Sequence, residues 1–381
     1  MKAGLLAATM VALVPAAAHA VSVSGTSGGM SWTATSNIVG VGSTATVASG
    51  GLPIYAATAP KYSGVAALIM NYGSAGSFIC SGSLLGDGRS VLTAGHCLAP
   101  TQPNAANQQQ ALQSVTAYFY GGGDPDQVVP LQPQSTAITA SQLFVNPDYT
   151  GEVIDQNDIA VVRLSQLAPD FAQRYDIYSG NDLTGVDFNV AGYGRRSDTG
   201  GTVGANLGTG RLRQGDNRYD FRLGDADFQG FWDGFFGTAD TDYTYLSDFD
   251  NGLAANDASC RILPGLAPDV IIAPSAKYCN LGRGITEVST AGGDSGGPQF
   301  VNGQISSVTS FGLSFGTNFG DIGGGLNSSF GEFNGFVPTY IHRDFINFAI
   351  AVPEPSTWAV MLTGLFGVGG MIRRRKAALA A

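Results

Sequence analysis

The sequence predicts an all-β protein with one helix near its C-terminus. Glycine accounts for 54 of the 381 residues and charged residues for 13%, a composition rich in turn formers and poor in helix formers. From Val65 onwards, short apolar runs alternate with clusters of Gly, Asn, Asp and Pro, as expected for strands separated by turns. Residues 338–350 instead place apolar side chains at helical spacing, which predicts the C-terminal helix.

The N-terminal 60 residues are predicted to lie outside this fold. Residues 1–20 combine Lys2, an apolar stretch and the small-residue sequence Ala18-His19-Ala20, which is typical of a secretory signal peptide. A retained membrane anchor is the alternative, although the apolar stretch is shorter than the ~20 residues of a span. Residues 21–60 are rich in Ser, Thr, Gly and Ala and show little alternation, which predicts a leader, linker or propeptide.

The C-terminal segment, residues 351–376, is predicted to be a membrane-directed tail. Two prolines precede a largely apolar stretch, residues 358–372, and a basic cluster follows it; this order suits an apolar span with cations held in the cytoplasm. An ordinary amphipathic or core helix is disfavoured because the stretch has no polar face. With Pro353-Glu354-Pro355 at its start, the segment resembles the PEP-CTERM sorting signal. The resemblance implies recognition by an exosortase, removal of the tail and delivery to the cell surface or outside, with transient inner-membrane anchoring through residues 358–372.

Charge and cysteine content narrow the class of partners. A formal net charge of −10 disfavours nucleic acids, whose binding proteins carry basic faces. Four cysteines in an exported chain predict two disulfides, although three pairings are possible. They lack the C-x-x-C spacing of zinc sites, and we predict no metal and no cofactor. The Asp-rich stretch at residues 216–250 has no EF-hand spacing, so we interpret it as a solvated acidic loop, with calcium binding as the alternative.

Ser295 is the candidate nucleophile. It lies in the sequence T-A-G-G-D-S-G-G-P, where glycines let another chain approach the backbone closely; a plain tight turn would have the same composition. A Ser hydroxyl needs a neighbouring base, usually His. Of the three histidines, His19 leaves with the signal peptide, and His342 falls in the predicted C-terminal helix, where we expect it at the surface. His96 is therefore the candidate base.

Asp158 is the candidate for the acid that orients His96. It opens the apolar run I-A-V-V-R-L, where an acid would also serve as a simple strand cap. The order His96, Asp158, Ser295 and the sequences T-A-G-H-C, N-D-I-A and G-D-S-G-G-P around these residues resemble the chymotrypsin/trypsin-like serine proteases. The resemblance covers about residues 63–350.

This resemblance implies a particular architecture and site. The protease domain would span residues 61–350, as two antiparallel six-stranded β-barrels that meet near residues 175–185, with a C-terminal helix. The implied disulfides are Cys80–Cys97 and Cys260–Cys279. Beside the triad, the implied site residues are Gly293 and Ser295, whose N–H groups form the oxyanion hole, Ser310, Phe311 and Gly312, which pair with substrate backbone, and Ser289, six residues before the nucleophile, at the base of the specificity pocket.

The predicted protein is thus a secreted or surface-displayed serine endopeptidase acting through an acyl-enzyme. Its partners would be protein or peptide substrates and an exosortase, with membrane contact only through the tail. A neutral Ser289 predicts a preference for uncharged side chains. A non-catalytic binding or adhesion module on the same fold and an esterase are the alternatives. In many relatives cleavage creates an N-terminus that pairs with the acid before the nucleophile, here Asp294, and cleavage before Ile38 is the nearest candidate.

Overall fold

A computed structural model of the protein describes residues 23–27, 30–35, 37–131, 134–265 and 277–351. The signal peptide and the apolar stretch of the sorting tail predicted from the sequence lie outside these residues. The chain divides into a unit that ends at Arg343 and a second that begins at Asp344. The architecture below is that of the first unit, apart from the last helix.

Three strands precede the first barrel, within the predicted leader. They are β1 (Val23–Ser27), β2 (Met30–Thr35) and β3 (Asn37–Gly40). β1 and β2 form an antiparallel hairpin, and β2 and β3 each pair with a strand of the second half of the chain. Met30 and Ala34 are buried on one face of β2, so this strand packs as part of the sheet that it joins at β18.

Six strands of the first half close into an antiparallel barrel. The strands of this half are β4 (Val65–Asn71), β5 (Ser77–Leu84), β6 (Ser90–Thr93), β7 (Thr101–Pro103), β8 (Gln109–Ala111), β9 (Ser114–Phe119), β10 (Thr136–Val145) and β11 (Ala160–Leu164). β7 and β8 form a hairpin of their own, and the other six pair in the closed order β10-β11-β6-β5-β4-β9. Alternate residues of β9, namely Val115, Ala117 and Phe119, are buried, as expected where one face of a strand lines a barrel.

The second half of the chain builds a larger antiparallel sheet. Its strands are β12 (Asp187–Gly192), β13 (Arg213–Arg218), β14 (Phe221–Arg222), β15 (Tyr245–Asp248), β16 (Val288–Ala291), β17 (Pro298–Val301), β18 (Gln304–Ser314) and β19 (Phe333–Pro338). Seven of them follow the order β13-β12-β17-β18-β19-β15-β14, while β16 pairs with β3 and β2 adds to β18. No strand pairing among the described residues closes this sheet, so the prediction of closed six-stranded barrels is confirmed for the first half alone.

The two faces of the second sheet bury different aromatic clusters. On one face, Phe336 packs edge-on against Phe188 and Tyr219, whose own rings are tilted to each other, with all three centroid distances at 5.6 Å or less. The other face carries Phe221, Phe311 and Phe333 among further apolar side chains. Large rings contribute much of the apolar area that this Gly-rich sequence buries.

Two helices accompany the sheets. They are α1 (Ala258–Gly265) and α2 (Arg343–Ala351). The prediction of one C-terminal helix is confirmed by α2, which begins later than expected because Pro338 still belongs to β19. The described residues include no helix that is both long and apolar enough to cross a membrane.

His342 is buried, so its expected place at the surface is wrong. It lies in a 3-10 turn just before α2. Its Nδ1 is 3.1 Å from Asn146 Nδ2, and its Nε2 is 2.7 Å from the carbonyl oxygen of Gln156. The turn therefore tucks the imidazole against the connection between β10 and β11, where it has a structural role.

The interpretation of residues 216–250 as a solvated acidic loop is also wrong in part. The stretch contains β14 and β15, and Asp220, Asp248 and Asp250 are each at most 4% exposed. The chain returns to the sheet at these positions, so their carboxylates face the interior.

Candidate active site

His96 directly follows a barrel strand. β6 ends at Thr93, and a 3-10 turn over Gly95–Leu98 positions the His96 backbone. His96 N donates to Asp158 Oδ1, and His96 Nδ1 lies beside Asp158 Oδ2, both at 2.7 Å. This double contact turns Nδ1 toward the carboxylate and leaves Nε2 for another group. The His96 side chain is 30% exposed, so the ring is accessible from solvent.

Asp158 is almost fully buried, with its side chain 1% exposed. It lies in the turn before β11. Besides the two contacts from His96, its Oδ2 accepts a hydrogen bond from Ser310 Oγ at 2.5 Å. Three donors thus surround the carboxylate, as a buried ionised group requires. The sequence pointed to Ser310 only as a contact for substrate backbone, and its position under Asp158 is a role that sequence reasoning missed.

The carboxylate of Asp158 controls the basicity of His96. Burial lowers the pKa of the imidazole, but the negative charge and hydrogen bond of Asp158 outweigh burial and raise the pKa above its ordinary 6.5. The imidazolium is therefore stabilised relative to free histidine.

The loop that carries Ser295 packs directly on the end of β6 and on the turn that carries His96. Gly296 has a φ of +75°, and a Cβ there would collide with Thr93 Oγ1 and with the Ala94 nitrogen. The Ser295 carbonyl oxygen lies 3.6 Å from Cys97 Sγ. Only glycine permits this approach, so the G-D-S-G-G sequence brings the nucleophile loop against the His96 turn.

Ser81 of β5 holds this loop in place, a role that the sequence did not reveal. Ser81 N donates to the Ser295 carbonyl oxygen at 2.8 Å, and Ser81 Oγ donates to the Gly293 carbonyl oxygen at 2.9 Å. Ser81 Oγ also accepts from Tyr193 N at 2.9 Å. One small polar residue therefore connects the barrel, the residue that follows β12 and the nucleophile loop; its only signal in the sequence is its place beside Cys80.

Gly293 and Asp294 shape the backbone just before the nucleophile. Gly293 has a φ of +107°, which disfavours any other residue. Asp294 is fully buried; its Oδ1 accepts from Gly194 N at 2.8 Å and its Oδ2 from Ala291 N at 2.9 Å. Burial raises the pKa of this carboxyl well above its ordinary value. In the uncut chain, Ile38 pairs opposite Thr290 in the β3–β16 ladder. Cleavage before Ile38, with pairing of the new N-terminus to Asp294, stays a prediction.

The predicted pocket base, Ser289, is neutral and hydrogen-bonded to Asn334. Ser289 Oγ, Thr290 N and Thr290 Oγ1 all donate to Asn334 Oδ1, at 3.0, 2.6 and 2.8 Å. Asn334 Nδ2 is buried without a hydrogen-bond partner among the described residues. The sequence did not single out Asn334, because it lies on β19, far from Ser289 along the chain.

The predicted substrate-binding strand is covered in this form of the chain. Phe311 is 1% exposed, and its ring lies over Gly335, where a Cβ would collide with it. Gly312 pairs with Thr35 of β2, and the next two residues of β18 continue the ladder. β2 thus occupies the edge of β18 from Gly312 onwards, and it overlaps the predicted substrate-binding residues at Gly312.

Both predicted disulfides are present. Cys80 bonds to Cys97, between β5 and the His96 turn, and Cys260 of α1 bonds to Cys279. The first bridge fixes the turn that carries His96 to the barrel.

Comparison with known proteins gives two matches and one negative result. The Trypsin family model matches residues 54–219, which include His96 and Asp158 but end before Ser295. The model for the PEP-CTERM protein-sorting motif matches residues 351–376. No curated protein matches the chain. The chain therefore contains a trypsin-like domain and ends in a PEP-CTERM protein-sorting motif.

Proposed function

We propose that this protein is an exported serine endopeptidase with Ser295, His96 and Asp158 as its catalytic triad. The observation that carries the proposal is the double contact of His96 with buried Asp158, at 2.7 Å for both, beside the glycine loop of Ser295. The trypsin-like domain implies peptide substrates. The sorting motif implies processing by an exosortase and a place at the cell surface.

In this mechanism each residue has one task. Ser295 Oγ attacks the scissile carbonyl carbon while His96 Nε2 accepts the hydroxyl proton. Asp158 keeps the Nδ1 proton in place and stabilises the imidazolium that forms. His96 then donates the proton to the leaving amine, which gives an acyl-enzyme, and water releases the acyl group by the reverse sequence.

The backbone before Ser295 would supply the oxyanion hole. Gly293, with its φ of +107°, and Ser295 are the residues whose N–H groups would bind the developing negative charge. Loss of one such donor typically costs about 10²–10³ in kcat. Anchoring of the Gly293 carbonyl oxygen by Ser81 Oγ at 2.9 Å supports a rigid loop, as preorganised donors require.

Labelling with a serine-directed fluorophosphonate tests the proposal against its alternatives. A peptidase or an esterase reacts, whereas a non-catalytic binding or adhesion module does not. If the protein reacts with the label, unlabelled protein is then incubated with matched peptide and ester substrates, which distinguishes a peptidase from an esterase. Hydrolysis of esters alone, with no cleavage in a diverse peptide library, would leave the esterase.

The raised pKa of His96 predicts the acid limb of the pH profile. His96 must be neutral to accept a proton, so kcat/KM is expected to rise with pH through an apparent pKa above 6.5. Because Asp158 causes the upward shift, Asp158→Asn should move the residual acid limb to lower pH. Measurement of kcat/KM between pH 5 and 9 for the wild-type protein and for Asp158→Asn, with most points within about one unit of this pKa, checks both statements. A wild-type limb centred below pH 6.5 would contradict the assignment of His96 as the base.

We also propose that the leader hairpin restrains the enzyme until it is released. β2 occupies the edge of β18 at Gly312, and Ala34 of β2 is fully buried. A substrate strand that adds to the same edge has to displace β2 first, because one strand edge offers one row of backbone groups.

Release of the hairpin is expected to raise kcat/KM by about tenfold or more, since each 1.4 kcal/mol of displaced pairing is worth a factor of ten. An engineered protease site between β2 and β3 provides the cut, and rates before and after it are compared. Ala34→Glu should raise the uncut rate because a charge has no place in the buried face, whereas Ser31→Glu, at an exposed position of the same strand, should not. Equal rates in the cut, Ala34→Glu and uncut wild-type proteins would refute the restraint while leaving the triad untouched.

A further inference from the structure

Five acidic side chains are buried together on the side of the second sheet that leads to α1. They are Asp220, Asp248, Asp250, Asp257 and Glu287, each at most 4% exposed. None belongs to the proposed triad or its hydrogen bonds. Among the described residues, no Lys, Arg or His forms an ion pair with any of them. Burying uncompensated carboxylates costs several kcal/mol each, so this cluster requires an explanation.

Three of the five converge on one point. Asp248, Asp250 and Asp257 each place a carboxylate oxygen so that all three lie within 4.8 Å of one another. Both oxygens of Asp250 are inaccessible to solvent and have no hydrogen-bond partner. Neither oxygen of this buried carboxylate has a donor, and a bound ion would satisfy both.

The other two acids serve as supports. Asp220 accepts from Asp248 N at 2.8 Å, from Ser259 Oγ at 3.0 Å and from Asn280 Nδ2 at 2.7 Å. Glu287 accepts from Asp250 N at 2.5 Å and from Arg283 N. Their oxygens are thus already used by neighbouring donors. Because two of these donors are Asp248 N and Asp250 N, Asp220 and Glu287 fix the backbone at two of the three converging residues.

The converging carboxylates are also held in position by the start of α1. Asp248 Oδ2 accepts from Ser259 N at 2.7 Å, and Asp257 Oδ1 accepts from Cys260 N at 2.8 Å. The cage therefore joins the end of β15 to α1, which the Cys260–Cys279 disulfide ties down. Such rigidity before binding favours a dedicated metal site.

We propose that Asp248, Asp250 and Asp257 bind a divalent cation of the calcium type. Carboxylate oxygens are the ligands of hard cations, and Ca²⁺ tolerates the irregular geometry of an all-protein cage, completed by carbonyl oxygens or water, better than Mg²⁺. Zinc is disfavoured because its usual partners are sulfur and nitrogen, and the sulfurs nearest to Asp257 are joined in a disulfide.

The electrostatics of the cluster agree with this assignment. Burial, followed by the charges of Glu287, Asp220 and Asp257, raises the pKa of Asp250 to about 10. Burial also raises the pKa of Asp257 to about 6. Both shifts arise because carboxylates are buried close together, which is the charge arrangement that a cation would compensate.

The proposed cation would stabilise the second sheet next to the nucleophile loop. Glu287 accepts a hydrogen bond from Asp250 N and directly precedes β16. The last residue of β16, Ala291, donates a hydrogen bond through its N–H to Asp294. Occupancy of the cage therefore bears on the segment that leads to Ser295, although binding itself does not depend on catalysis.

Calcium titration of the full chain after treatment with a chelator tests the proposal. Thermal unfolding and calorimetry are followed with Ca²⁺ alone. We expect Ca²⁺ at one hundred times its Kd to raise Tm by about 5 °C or more, with a saturable heat of binding in calorimetry. Absence of both signals at about 10 mM Ca²⁺, above the Kd of weak extracellular sites, overturns the proposal.

Matched variants locate the site. Asp250→Asn is expected to weaken Ca²⁺ binding by about 100-fold or more, beyond what loss of an outer-sphere partner causes, and to keep the Tm measured without Ca²⁺, because a neutral amide of the same size takes the place of the buried carboxyl group. Asp240→Asn changes an exposed acid of the same region and should leave binding unchanged. If Asp250→Asn does not fold, Asp257→Asn takes its place. Full Ca²⁺ affinity in a folded Asp250 or Asp257 variant refutes the assignment.

Discussion

Replacement of Ser295 by Ala is expected to abolish peptide hydrolysis, with a fall in kcat of about 10⁶-fold in the leader-cleaved protein. The physical reason is that the variant lacks the only oxygen that His96 is proposed to activate, so no acyl-enzyme forms. The remaining backbone donors still bind substrate, which leaves a background of about 10³–10⁴ over water. Steady-state and single-turnover kinetics on one peptide substrate measure the loss.

The folded state should survive this change. Ser295 is held through its carbonyl oxygen, by Ser81 N at 2.8 Å, and alanine keeps that contact. Ser81→Gly is a useful companion, since it removes the hydroxyl that anchors Gly293 while keeping the nucleophile, and it should lower kcat much less than Ser295→Ala. Undiminished hydrolysis by Ser295→Ala would show that the nucleophile lies elsewhere.

Replacement of Asp158 by Asn is expected to lower kcat by about 10⁴-fold. An Asn side chain at this position donates through its amide toward His96 Nδ1, now 2.7 Å from the carboxylate. The imidazole would then carry its proton on Nε2 and could not accept one from Ser295. Asn and Asp side chains have the same size and shape, so the geometry is retained and only the tautomer of the His96 imidazole changes.

A matched control separates this effect from general disturbance of the loop. Asp148→Asn alters an exposed acid shortly before Asp158 and should leave kcat within a factor of about two, as most surface changes do. Ser310→Ala removes one hydrogen-bond donor from Asp158, and its kcat should lie between those of Asp158→Asn and Asp148→Asn. Kinetics of all three at one pH decide the matter; similar kcat values for Asp158→Asn and Asp148→Asn would exclude an orienting role for Asp158.

The predictable part of the fold rests on local patterns. Alternation along strands such as β9 predicts which face is buried, and helical spacing predicts α2 near the C-terminus. Motif resemblance predicts the cysteine pairs and the roles of His96, Asp158 and Ser295, and the structure places Asp158 Oδ2 2.7 Å from His96 Nδ1. These features depend on neighbours in sequence or on well-marked motifs, which a single sequence displays.

The missed features depend on contacts between distant segments. The strand β2 has too little apolar periodicity to be recognised, because its pairing partner, β18, supplies the surface that it needs. Asp248 and Asp250 look like loop acids until the end of β15 turns them inward. Ser81 and Asn334 are small polar residues with unremarkable local sequence, and their roles arise only from contacts with residues far away along the chain.

The most direct test of the central claim is peptide mapping of the fluorophosphonate adduct by mass spectrometry. The leader-cleaved wild-type protein is expected to carry one adduct, on Ser295, at a rate that falls by several orders of magnitude in His96→Ala, because the serine then lacks its base. An adduct on a different residue, or equal labelling rates with and without the His96 imidazole, would contradict the proposed triad.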